Sequence, residues 1–202
     1  MNRGERATTR TKSVIKQSLS ELFHEKNYPD ITVSNITKRA NIGRSTFYRH
    51  YKSKAEVMVD FHKDMFSKLF SGLSIQELCH RSEPPKELVD FFITYQLLGR
   101  NHFSLIYKLG NDLDYLITNI NLALTATVKE WLQKSYHEKK NSIPLTILAQ
   151  SIAASYSGLL MSWFLTYQSI DAKRFAIYIH RLICSMVREA GLKSKNNPLT
   201  YR

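Results

Sequence analysis

The 202-residue chain has little of what most chemistry requires. It holds two cysteines, Cys79 and Cys184, which match no zinc-ligand spacing and are too few for a disulfide framework. Only Cys79 has basic neighbours, His80 and Arg81, of the kind that activate a thiol, so two reduced, semi-buried thiols are the expectation. There is no G-x-S-x-G, H-E-x-x-H or Walker loop, and the seven histidines, His24, His50, His62, His80, His102, His137 and His180, show no paired spacing. Catalytic residues, metal ligands and cofactors are therefore expected to be absent. No run of 18 apolar residues argues for a membrane span. The opening MNRGERATTRTK is charged and hydroxylated and leads into no apolar stretch, which reads as no signal peptide and a cytoplasmic location.

Acidic residues are also scarce, 17 against 29 lysines and arginines, for a net charge of +12. The excess is uneven. Residues 1 to 54 carry twelve basic side chains against four acidic ones, a net +8, which leaves +4 for the remaining 148 residues. A basic head on a milder body is the footprint of a nucleic-acid binder, although an anionic membrane surface or an acidic partner would attract the same charge. Hydrophobic content of 43% is enough for a buried core, and the length suits a small head fused to a larger body.

One stretch decides between those partners. Ile31 to Lys54 reads ITVSNITKRANIGRSTFYRHYKSK. Thr32 can cap a first helix whose Val33, Ile36 and Ala40 share a face. Asn41 tolerates the left-handed conformation of a helix end, and Gly43 is a second permissive position. A second helix from about Arg44 to Tyr51 turns Phe47 and Tyr51 inward, which leaves Arg44, Ser45, Thr46, Tyr48, Arg49 and His50 outward. Ser53 and Glu56 have capping-box spacing for a third helix, so Lys54 stands at a helix N-terminus that favours a phosphate. The major groove admits an α-helix, and Arg44 at its start can reach G O6 and N7 as a bidentate pair. Ser45 and Thr46 are short enough for close approach, Thr46 towards a phosphate, while Arg49 suits either a base or the backbone. Any one of these residues alone reads as a solvated polar side chain; the set on one face does not.

The same run resembles the helix-turn-helix of the TetR family of bacterial transcriptional regulators, with Thr32, Val33, Ile36, Ala40, Ile42, Thr46, Phe47, Tyr48, His50, Tyr51, Ser53 and Lys54 matching the family pattern. It departs at Asn41 where glycine is usual, at Gly43 where a serine usually caps the recognition helix, and at Thr37 where alanine is usual. The resemblance implies an all-α fold: a DNA-binding head over residues 1–54, and a regulatory and dimerisation body over 55–202 entered by a connector helix at about 53–70. It further implies that Tyr48, His50 and Lys54 contact the DNA backbone, with Ser34 near a base edge or phosphate. It implies a homodimer on a palindromic double-stranded operator, most often a repressor released by a small-molecule effector. The alternative, from charge alone, is a helical interaction or membrane-surface module.

Along the rest of the chain, residues 1–8 read as a disordered basic arm and Thr9–Lys26 as a helix with Val14 or Ile15, Leu19, Leu22 and Phe23 as its stripe. After the connector come a weak, irregular stretch over 72–82 in which Ile75 to Cys79 could form a turn of helix, then helices opened by Pro84, Asn101 and Asp112, one from Ser142 to Tyr167, and a last one capped by Asp171. No strand pattern competes, and the tail from Lys193 reads as disordered. Phe91, Tyr95, Phe103, Tyr107, Trp131, Tyr156 and Trp163 are the aromatic residues that could line an effector cavity, although core packing would use each of them equally well. The helix from Ser142 to Tyr167 is apolar or small nearly all round, the last one carries a stripe of Phe175, Ile179, Leu182, Ile183, Met186 and Val187, and together they hold more apolar surface than one body can bury. In the resembling family they form a four-helix dimer interface, which here would use Ile152, Ser155, Leu159, Trp163, Phe175, Ile179, Leu182 and Met186.

Overall fold

The computed structural model describes residues 3–72, 74–100, 112–139, 142–167 and 169–194. Its helices are α1 (Arg3–Leu22), α2 (Val33–Arg39), α3 (Arg44–His50), α4 (Lys54–Ser71), α5 (Ile75–His80), α6 (Lys86–Arg100), α7 (Leu113–Ser135), α8 (Leu145–Leu165) and α9 (Ala172–Glu189), with a short 3-10 turn at Tyr28–Asp30. The fold is all-α as expected. The chain divides into two compact units, residues 1–64 with 97–120, and residues 65–96 with 121–202. The domain boundary expected at 54 thus falls inside the first unit, because the opening of α4 packs with the head.

Helix α1 starts at Arg3 rather than Thr9. Charge at residues 3–8 reads as a solvated tail in the sequence, yet Arg, Glu and Ala are good helix formers and Glu5 suits a first turn. The Thr9 and Thr11 hydroxyls fold back onto the Glu5 and Ala7 carbonyls at 2.9 Å, which leaves them no competing partner outside the helix. The helix ends at Leu22, four residues early, in a turn held by Phe23, His24 and Lys26 amides.

The first unit is built on one core: Ile15, Leu19, Leu22 and Phe23 of α1, Tyr28 and Ile31, Ile36 of α2, Phe47 and Tyr51, Ala55, Val57 and Val59 of α4, and Leu116 of α7. Ile15, Leu19, Ile31, Ile36, Phe47 and Val57 are fully buried. Burial of side chains this size contributes about 1.5–3 kcal/mol each, so α2 and α3, at seven residues apiece, are held by packing rather than by propensity.

In the second unit the turn of helix that Ile75 to Cys79 could form is α5, complete and capped: Ser74 accepts from the Glu77 amide, and Glu77 accepts from the Ser74 amide at 3.0 Å. Helix α8 begins at Leu145, where Glu138 Oε1 accepts the Leu145 amide at 2.7 Å in place of a side-chain cap that Pro144 cannot provide. Asp171 caps α9 by accepting from the Arg174 amide at 2.8 Å. Trp163 stacks on Phe175 with centroids 4.3 Å apart, locking α8 to α9. Its indole N–H donates to the Ile170 carbonyl at 2.7 Å. Two features were not expected. Tyr136–His137 pairs antiparallel with Lys193–Ser194, so the start of the tail is ordered by a two-residue bridge. The 19 residues Leu145–Trp163 are long and apolar enough by length and composition to cross a membrane, contrary to the reading of the sequence; Leu148, Ala149, Ile152, Ala153 and Trp163 of that helix are buried within the second unit.

Candidate nucleic-acid interface and body cavity

The turn between α2 and α3 is set by backbone chemistry. Thr32 Oγ1 accepts from the Asn35 amide at 3.1 Å while Asn35 Oδ1 accepts from the Thr32 amide at 2.9 Å, a capping box with asparagine at its third position. At the other end of α2, Asn41 takes φ 50°, the left-handed turn that lets the chain reverse into α3. Gly43 does not need its freedom: its φ is −71°, and a Cβ there would meet only Ser45 Oγ at 3.7 Å. It caps α3 with no side-chain oxygen.

Helix α3 hangs on Phe47, which is fully buried and meets Tyr51 at 6.1 Å and the edge of Tyr48 at 5.5 Å. That anchor leaves Arg44, Ser45 and Arg49 exposed, Thr46 and His50 half-buried, and Tyr48 55% exposed. Ser34, in the first turn of α2, is exposed as well. Of the six outward residues expected on α3, Arg44, Ser45, Tyr48 and Arg49 are thus exposed, while Thr46 and His50 are partly covered. Burial, then Lys12 and Arg49, hold the His50 imidazole below its ordinary value, so at neutral pH it is an uncharged donor or acceptor.

Lys54 is placed differently from the expectation. Its ammonium donates inward, to the carbonyls of Tyr28 at 2.8 Å, Ile31 at 2.9 Å and Pro29 at 3.3 Å, and lies 4.2 Å above the Tyr28 ring. All three of its donors are engaged with the loop that leads into α2. Burial lowers its proton affinity, and Asp112 and Asp30 work against that. At the start of α4 the Ser53 hydroxyl accepts from the Glu56 amide at 3.3 Å, while the Glu56 carboxylate accepts from the Lys52 amide at 2.7 Å, one residue outside the usual box. Tyr28, pushed above the ordinary phenol range by burial and by the Asp112 carboxylate, donates to Asp112 Oδ2 at 3.0 Å.

Further contacts fasten α3 and its neighbours. The Tyr51 hydroxyl donates to Asp60 Oδ2 at 2.6 Å. Lys16 reaches from α1 to Asp60 at 3.3 Å and to Asp64, and Arg39 makes two short bonds to Glu25, at 2.6 and 2.7 Å, with Glu21 at 3.6 Å. Lys12 lies 5.2 Å over the Tyr51 ring.

The body holds a small apolar cavity that is partly open to solvent. Phe66 and Phe70 of α4, Trp131 of α7, and Tyr156 of α8 frame it, with Leu124, Val128 and Ile179 between them. Of the expected aromatic residues, Trp131 and Tyr156 line it. Phe91 stands behind, its ring 6.4 Å from Tyr156, and Trp163 belongs to the α8–α9 packing. Phe103, Tyr107 and the Tyr95 side chain lie outside the described residues. Phe66, Phe70, Leu124 and Val128 were missed as lining because their 3–4 spacing is that of any core stripe.

The expected dimer residues separate. Ile152, Trp163, Phe175 and Ile179 are 2–5% exposed and packed within the protomer. Ser155 and Leu182 are exposed, and Leu159 and Met186 half-buried. A helix apolar nearly all round does not tell its inner from its outer face in the sequence. Among the exposed apolar residues, Ile147 and Tyr178 share those two helices with Leu182.

Residues 18–60 match the family model of the bacterial regulatory proteins of the tetR family. Over 72 residues the chain is 32% identical to YxbF of Bacillus subtilis, described as an uncharacterized HTH-type transcriptional regulator; that match covers 35% of this chain and 19% of YxbF. Over 205 residues it is 23% identical to YerO of the same organism, described in the same words, covering 94% of this chain and 68% of YerO. Among solved structures, Thermus thermophilus FadR, a TetR-family repressor in complex with lauroyl-CoA, is similar with a TM-score of 0.56 at 18% identity, over 93% of this chain and 99% of that one. A TetR-family regulator from Syntrophomonas wolfei is similar with a TM-score of 0.57 at 16% identity, over 88% and 96%. At these identities the structures share the fold.

Proposed function

We propose that the chain is a TetR-family transcriptional regulator, a reading supported by the match over residues 18–60, and that it is a cytoplasmic homodimeric repressor whose two α3 helices read successive major grooves of a palindromic operator. It works by binding rather than by catalysis. The observation that carries this reading is the outward face of α3: Arg44, Ser45, Tyr48 and Arg49 stand exposed on a helix anchored by the fully buried Phe47. Arg44 reads a guanine, Ser45 permits close approach, and Thr46, Tyr48 and His50 fix the register on phosphates, with Arg49 and Ser34 at the flanks. The dimer forms on the exposed parts of α8 and α9, through Ser155, Leu159, Leu182 and Met186.

Release of the operator follows binding of a small, largely apolar effector in the cavity beside Trp131. The lining supports an apolar ligand because Tyr156 and the exposed Glu87 are its polar side chains among aromatic and aliphatic ones. The ligand selects whichever conformation it binds more tightly, and the operator the other. Titration of a Trp163→Phe variant with a medium-chain fatty acid should change the emission of Trp131; unchanged emission at saturating ligand rejects this ligand class.

Selection of DNA from a random duplex pool by the purified protein, with its mass in solution measured alongside, tests the main reading. An enriched palindrome bound by a dimer is the expected result. Binding without sequence preference, with a steep salt dependence, would make the basic head a charge-only surface and overturn it.

A further inference from the structure

We propose that Cys79 and Cys184 form a redox-active dithiol that hydroperoxides convert into an intramolecular disulfide joining α5 to α9. The two residues are remote in sequence, yet their side chains lie within interaction range of one another. Their helices are held together at the adjoining position: His180, one turn before Cys184, places Nε2 2.9 Å from the carbonyl of Leu78, the residue before Cys79. The hydrogen bond and the thiol pair are therefore successive rungs between the same two helices. Cys184 is buried and Cys79 half-buried, so a small oxidant reaches the pair from the Cys79 side.

The surroundings favour a thiolate. Arg188, one turn beyond Cys184, acts on both sulfurs, and the Cys79 side chain together with that cation holds Cys184 below the ordinary thiol range. The Cys184 side chain and burial push the Cys79 thiol up, so the pair carries one charge in preference to two. Cys184 therefore carries the thiolate, while Cys79, the more exposed sulfur, keeps its proton.

The chemistry balances without a cofactor. A thiolate attacks one oxygen of the hydroperoxide; the O–O bond breaks, and the leaving oxygen departs as water or alcohol with the proton of that thiol. The sulfenic acid so formed is attacked by the second sulfur, the S–O bond breaks, and water leaves with the second proton. Two sulfurs lose two electrons in total and the peroxide gains them.

The test uses the full chain, independently of any DNA reading. Protein treated with equimolar hydrogen peroxide is alkylated with iodoacetamide and its intact mass measured. The expected species is lighter by two hydrogens, takes no alkyl group, yields a Cys79–Cys184 linked peptide on digestion, and recovers two alkylation sites after dithiothreitol. Cys79→Ser, a half-buried position whose folding circular dichroism can verify, should take one alkyl group and show no such mass loss. Two alkylated thiols after peroxide, a sulfinic acid on Cys79 with Cys184 still alkylatable, or a disulfide between two chains would each overturn the proposal.

Discussion

The Tyr51 hydroxyl, at the end of α3, donates to Asp60 Oδ2 on α4 across 2.6 Å, and Lys16 of α1 bears on the same carboxylate at 3.3 Å. Burial by itself would raise the Asp60 carboxyl; the Tyr51 hydroxyl and Lys16 outweigh it and hold the group below the usual carboxylate range. Its contribution to stability is thus full above the unfolded value near pH ~4 and is lost as pH falls through the lower folded value. Asp60→Asn should destabilise the protein by about 1–3 kcal/mol at pH 7 and flatten the acid limb of its stability curve. Urea melts at pH 7 and at stepwise lower pH measure both.

Lys54→Met should lower the melting temperature of the protein without any DNA present. It leaves the carbonyls of Tyr28, Pro29 and Ile31 without their ammonium partner, at a cost of about 1–3 kcal/mol. A lysine that only touched DNA would leave the melt unchanged and weaken operator binding alone, so the two measurements together assign its role.

Arg44→Ala should relax base preference at one position per half-site, at a cost of about 1–3 kcal/mol for the preferred sequence and little for others. Repeating the duplex selection with the variant measures this. An unchanged preferred sequence rejects the base-reading role.

His50 makes operator affinity depend on pH. Burial, Lys12 and Arg49 keep its free imidazole uncharged at neutral pH, and a DNA phosphate beside it would favour the protonated form. Binding then takes up a proton, so affinity rises as pH falls from about 7.5 to about 5.5, and His50→Gln removes that slope. Fluorescence anisotropy at fixed salt checks it; a variant with the same slope rules out the contact.

What the sequence made legible was local. Thr32, Asn41, Phe47 and Tyr51 each announce their place within a few residues, through a cap, a left-handed turn or a four-residue spacing, and the all-helical body follows from periodicity alone. The clasp from Lys54 to carbonyls more than twenty residues earlier has no such signal, because a backbone acceptor has no sequence identity. The meeting of Cys79 with Cys184 was illegible for a related reason: helices that pack on one another bring together residues whose separation in the chain says nothing. The inner and outer faces of α8 were confused because small and apolar residues surround that helix on all sides.

The internal ion pairs of the head bear on its thermodynamics with DNA. Lys16, Arg39 and Lys54 count towards the basic excess of residues 1–54, yet Asp60 and Asp64, Glu21 and Glu25, and three backbone carbonyls already neutralise or hold them. Such cations gather few condensed ions from a duplex. The number of counterions released on association, and so the steepness with which binding falls as salt rises, is set by the smaller set of cations left free, and it is lower than the composition of the head suggests.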